Sequence, residues 1–114
     1  MIKLHMGEKQ YLSGRITAYM SREALKINKE SMDLLKIQKE FEKNKQEGVQ
    51  VDGETAMTLL DALERLGDRK ANLICNVFDN KFSYDDLVNT LTEAEIDQTV
   101  TNIFLASRGI LQKN

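Results

Sequence analysis

No proline interrupts this chain of 114 residues, and its six glycines are the strongest backbone breaks in it, so each segment between them is free to be helical. The expected fold class is mainly α: one small domain, 1–114, of about four helices. Residues 1–19 read as an extended arm or a short β-hairpin and 20–114 as the helical domain, with a loop near 46–53. A chain of this length supports a single modest core and not two. Hydrophobic residues at 41% and charged residues at 30% lie in the ordinary globular range, which argues against a disordered chain.

At the start, Ile2-Lys3-Leu4-His5-Met6 alternates, Gly7 can turn, and Gln10-Tyr11-Leu12 can return as a strand before Gly14. An isolated two-stranded hairpin is only marginally stable, so the extended arm is preferred. Ser21 is expected to cap the first long helix, which runs to about Lys45 and stops before Gly48. At about 100° per residue, Met20, Ala24, Ile27, Leu34 and Phe41 share one stripe, while Leu25 and Met32 lie about 120° or more from its centre. Leu35 bridges the two groups. An apolar arc this wide exceeds what one docking face requires, which makes Leu25, Met32 and Leu35 the candidate partner-binding residues. The alternative is that Leu25 and Met32 are scattered exposed apolar residues of the ordinary kind.

Val49-Gln50-Val51-Asp52 reads as a loop. In the second helix, Met57, Leu60, Leu63, Ala71, Ile74 and Phe78 recur at helical spacing, widened by Leu59, Leu66, Leu73 and Val77, and this helix is expected at the centre of the core. Gly67 either allows a close helix crossing or marks a junction of two helices, and one helix is preferred. The pattern closes in Val77-Phe78-Asp79-Asn80-Lys81-Phe82-Ser83-Tyr84-Asp85-Asp86-Leu87. Asp79 and Asn80 leave helices readily, Phe78 and Phe82 bracket the turn, and Ser83 can cap a new helix with Asp85 and Asp86 in its first turn. Phe78, Asp79, Asn80, Phe82 and Ser83 are therefore assigned to a structural joint. Tyr84 to Leu91 follows as a short helix, and Thr92-Glu93-Ala94-Glu95 is a capping box. In the last helix Ile96, Val100, Ile103, Phe104 and Leu111 share a face that Leu105 leaves.

Residues suited to catalysis are sparse. His5 and Cys75 stand alone, without His-x-x-x-His or Cys-x-x-Cys spacing, and give no zinc site. Cys75, beside Leu73 and Ile74, reads as a small buried hydrophobe. Asp79, Ser83, Asp85 and Asp86 resemble a calcium loop superficially, but Tyr84 and Thr90 occupy the positions that need glycine and glutamate. No glycine cluster forms a phosphate loop. Neither an enzyme nor a cofactor or metal is expected. The formal charge of −2, with few aromatics and none interleaved among basic residues, gives no reason to expect nucleic acid. A single cysteine and the lack of a leader pattern point to a reducing cytoplasm, and no apolar run reaches the roughly 20 residues of a membrane span. The tract Lys36 to Glu47 reads as a solvated helix face or as a polar rim that keeps an apolar stripe soluble.

The segment Arg69 to Leu91 resembles the small tail assembly chaperones of long, non-contractile-tailed bacteriophages of Gram-positive hosts. Their shared pattern is a hydrophobic helix, a Y/F-x-N-x-F-T/S loop and a short acidic helix, matched here by Val77-Phe78-Asp79-Asn80-Lys81-Phe82-Ser83 and the Tyr84-Asp85-Asp86-Leu87 start. Met32-Asp33-Leu34-Leu35 is similar to the family's first helix, while the Lys43 to Asp52 connection and Gly67 depart from the pattern. The resemblance implies a helper in the host cytoplasm that coats the tape-measure protein, helps recruit tail-tube subunits, self-associates into an oligomer or spiral, and is missing from the finished virion. It also implies a longer form made by ribosomal frameshifting. Gln112-Lys113-Asn114 can be encoded by CAA-AAA-AAC, which contains a slip-prone heptamer. The alternatives are a small helix-turn-helix-like regulator, a generic helical adaptor or a structural virion subunit.

Overall fold

A computed structural model describes residues 2–48 and 52–109. Two short strands, β1 (Lys3–Met6) and β2 (Lys9–Leu12), precede α1 (Ala18–Gln46), α2 (Gly53–Val77), α3 (Tyr84–Thr90) and α4 (Glu93–Ser107), so the chain is mainly α with a short β opening. The strands pair antiparallel, Leu4 opposite Tyr11 and Met6 opposite Lys9, around a turn in which Gly7 takes φ +63°. The hairpin thus forms where the extended arm was preferred. Its alternation puts Leu4 and Met6 on one face, and both are buried in the common core. Ile2 N–H donates to Ser13 Oγ at 2.8 Å and closes the hairpin's open end, and two bonds tie it down: Gly14 N–H donates to the Val77 carbonyl at 3.0 Å and Lys81 Nζ to the Leu12 carbonyl at 2.9 Å. Stability that two strands lack alone comes here from the helices beneath them.

Thr17, not Ser21, caps α1: its hydroxyl accepts from Met20 N–H at 3.2 Å. Ser21 lies one turn inside and accepts instead from the Ser107 hydroxyl at 2.8 Å, fastening the start of α1 to the end of α4. Ala24 and Ile27 are the fully buried residues of α1, with Met20 and Leu34 packed partly against the core. Arg69 of α2 pairs with Glu23 at 3.3 Å and with Glu30, and Lys70 pairs with Asp97 of α4 at 2.7 Å.

One unbroken α2 spans Gly67, capped by Asp52, which accepts from Glu54 N–H at 3.1 Å. Its burial is concentrated in Leu66, Ala71, Leu73, Ile74, Cys75 and Val77. Met57 and Leu60, expected in the core, are each 58% exposed. The ties from α3 and α4 fall on Asp68 and Lys70, so only the second half of α2 is roofed. Nothing lies within 4 Å of where a Cβ on Gly67 would stand, so no close crossing explains the glycine. Gly67→Ala is therefore expected to stabilise the fold by about 1 kcal/mol, the helix-propensity difference, seen as a raised thermal midpoint. A lowered midpoint would mean that α2 uses the glycine's freedom. The loop residues Val49, Gln50 and Val51, and Leu111 at the chain's end, lie outside the described residues.

Candidate partner-binding cleft and its supporting joint

The joint after α2 is built from residues that accept left-handed backbone. Phe78 caps the helix, and Asp79 and Asn80 both take φ 55°. Asn80 N–H donates to the Cys75 carbonyl at 2.8 Å and Asp79 N–H to the Asn76 carbonyl at 3.1 Å, the paired bonds of a Schellman end with Asp79 where glycine is commonest. Gly14 lies against the Asp79 carboxylate from the other side. A Cβ there would come within 2.5 Å of Asp79 Oδ2, so the N-terminal segment passes close because it has none. Phe78 is completely buried and Phe82 nearly so, their ring centroids 5.7 Å apart, and Tyr11 meets Phe82 edge-on at 4.9 Å.

Ser83 then caps α3 in a full capping box, and Thr92 does the same for α4 with Glu95. The Tyr84 hydroxyl donates to the Asp68 carboxylate, a bond that, ahead of the nearby carboxylate charges, raises the phenol above its ordinary pKa. These caps fix where α3 and α4 start, and α4 packs back along α1, its end held to Ser21.

Between α1 and α4 opens a cleft of about 500 Å³. Leu25 and Met32 of α1 line one wall together with Asn28, Lys29 and Ser31, Val100 and Phe104 of α4 the other with Asp97 and Thr101, and Lys70 of α2 completes the lining. Leu25 is partly buried and Met32 is 64% exposed. The structure therefore brings two of the three candidate contact residues together. Leu35, 50% exposed, stays outside the lining, farther along α1. Val100 and Phe104 belong to the shared apolar face expected of the last helix. Val100 is buried, but Phe104 is only partly so, and its ring carries the Arg108 guanidinium at 5.2 Å. The sequence signal for a cleft was present in the width of the α1 arc. The opposing wall needed the fold.

Among the described residues no cluster of histidine, cysteine and carboxylates could hold a metal, and no helix is long and apolar enough to cross a membrane. Burial pushes the Cys75 thiol above its ordinary pKa. Its alkylation in the native protein at mildly alkaline pH is expected to run on the order of a hundredfold slower than in denaturant, read as mass gain over time. Equal rates would show that the end of α2 opens freely. The start of α4, where a recognition helix would present basic residues, carries Glu93, Glu95 and Asp97 instead.

The described residues thus form a small helical domain with an open cleft between α1 and α4, capped helices and a helix-loop-helix joint. A family model described as phage tail chaperone protein matches residues 1–113, and the chain belongs to that family. Its role is accordingly in bacteriophage tail assembly. No curated protein and no solved structure matches the chain significantly.

Proposed function

We propose that the protein binds the tape-measure protein through the α1–α4 cleft, keeps its helices soluble until they are coated, and helps recruit tail-tube subunits. The observation that carries this is the convergence of Leu25 and Met32 with Val100 and Phe104 on one open cleft, in a member of a tail chaperone family. The contact is helix on helix, with Leu35 extending the apolar line along α1 past the cleft. The protein acts in the host cytoplasm without enzymatic chemistry, self-associates into an oligomer or spiral, and is left out of the mature virion. A longer frameshifted form accompanies it, tested by reading the gene through codons 112 to 114 and the overlapping frame beyond.

Co-expression with the tape-measure protein tests the central claim. The native chain is expected to hold the client in the soluble fraction, and the double substitution Leu25→Glu with Met32→Glu to lose it. An unchanged soluble yield would remove the cleft as the client site. Mass spectrometry of purified particles separates a helper from a structural subunit, because only the latter persists in them.

A further inference from the structure

The line of α1 that forms the cleft wall and runs on past it carries a charge pattern that the mixed composition of the helix hides, and of its cations only Lys29 lines the cleft itself. At about 100° per residue, Lys29, Lys36, Lys39 and Lys43 fall within about 50° of the line through Leu25 and Met32, and Arg22 and Glu40 both stand at its edge, about 70° away. All five cations are exposed. The ion pairs among the described residues use Arg69 and Lys70, and none uses these five. The other acidic residues of α1 are turned elsewhere, Glu23 and Glu30 toward Arg69. Lys39 and Lys43 even stand four apart, a like-charge spacing that weakens a helix slightly. Within the cleft, Lys70 already neutralises Asp97. A chain with formal charge −2 thus presents a cationic rim along its apolar line.

We infer that the occupant of this cleft is an amphipathic helix whose apolar stripe is flanked by Asp and Glu; this rests on the proposal above that the cleft is the client site. The apolar line supplies the contact area, and the unpaired cations select the partner's charge and steer its approach. A nucleic acid is the poorer match, because the α1 cations frame Leu25, Met32 and Leu35, and the one aromatic residue of the cleft lining, Phe104 across from them, already carries the Arg108 guanidinium.

Three synthetic helical peptides with one apolar stripe, flanked by Glu, Gln or Lys, test this against the full chain by fluorescence anisotropy and by NMR shifts at Leu25 and Met32. At low salt the Glu peptide is expected to bind at least about tenfold more tightly than the Gln peptide, with the difference shrinking as salt rises. Joint substitution Lys36→Gln, Lys39→Gln and Lys43→Gln should erase that preference, and the three changes to Glu should reverse it in favour of the Lys peptide. Circular dichroism confirms that each variant stays helical. Equal binding of Glu and Gln peptides, with Leu25 and Met32 still shifted, overturns the charge selection and leaves the cleft standing. No shift with any peptide overturns both. Displacement of the Glu peptide by a short oligonucleotide, or self-association that uses the same lysines and excludes the peptide, makes nucleic acid or a second copy the occupant and overturns the inference.

Discussion

Phe78→Ala is expected to cost about 3–5 kcal/mol, the range for deleting a buried aromatic ring and leaving a void. Domains of this size have about 5–15 kcal/mol in total, so a large share of the stability goes with one side chain. The effect is large because Phe78 has no exposed surface and because its loss spreads. Its ring backs Phe82, and Phe82 in turn holds Tyr11 of β2. A urea titration should show a lowered midpoint with little change in slope. Phe78→Leu, which keeps most of the volume, should cost clearly less. If the alanine variant lost under about 1 kcal/mol, Phe78 would not be central to the core.

The second large effect concerns client binding and not stability. Leu25→Glu with Met32→Glu places two carboxylates where an apolar partner must dock, and burying an unpaired charge there is costly enough to weaken binding on the order of a hundredfold or more. Fold stability should change far less, because Met32 is 64% exposed and Leu25 only partly buried. The informative control is Met57→Glu with Leu60→Glu on α2. Those residues are about as exposed as Met32, at 58% each, yet stand away from the cleft. Client affinity should survive that change. If both pairs abolished binding equally, general surface hydrophobicity and not the cleft would hold the client.

Local chemistry was legible in the sequence wherever a residue had few conformational alternatives. Ser83 and Thr92 announced their helices because each is followed three positions on by a carboxylate that completes a capping box. Asp79 and Asn80 marked the left-handed turn because they accept positive φ better than most residues. Thr17 was missed for Ser21 because both are hydroxyl residues, and the extra turn between them carries Ala18 and the 74%-exposed Tyr19, which leave no apolar period to read. The hairpin was undervalued because its stability lies in Leu4 and Met6 reaching helices far along the chain. Met57 and Leu60 have the right spacing for a core face, but spacing does not say which half of a helix another element covers. For the same reason Leu25 and Met32 could be singled out from one helix, while Val100 and Phe104 opposite them could not.

The fastenings of this fold also set an order of events during synthesis. Lys81 reaches back 69 positions to the Leu12 carbonyl, and Ser107 reaches back 86 to Ser21. A chain emerging from the ribosome therefore exposes Leu4 and Met6 without their helical support until α2 and its joint have followed. The part of α1 that α2 does not cover stays bare longer still, until α4 arrives. Closures this distant slow folding and lengthen the time that apolar surface is bare. A nascent tail chaperone thus passes through a stage in which it has no finished cleft to offer, and its working supply is set by completed chains and not by chains begun.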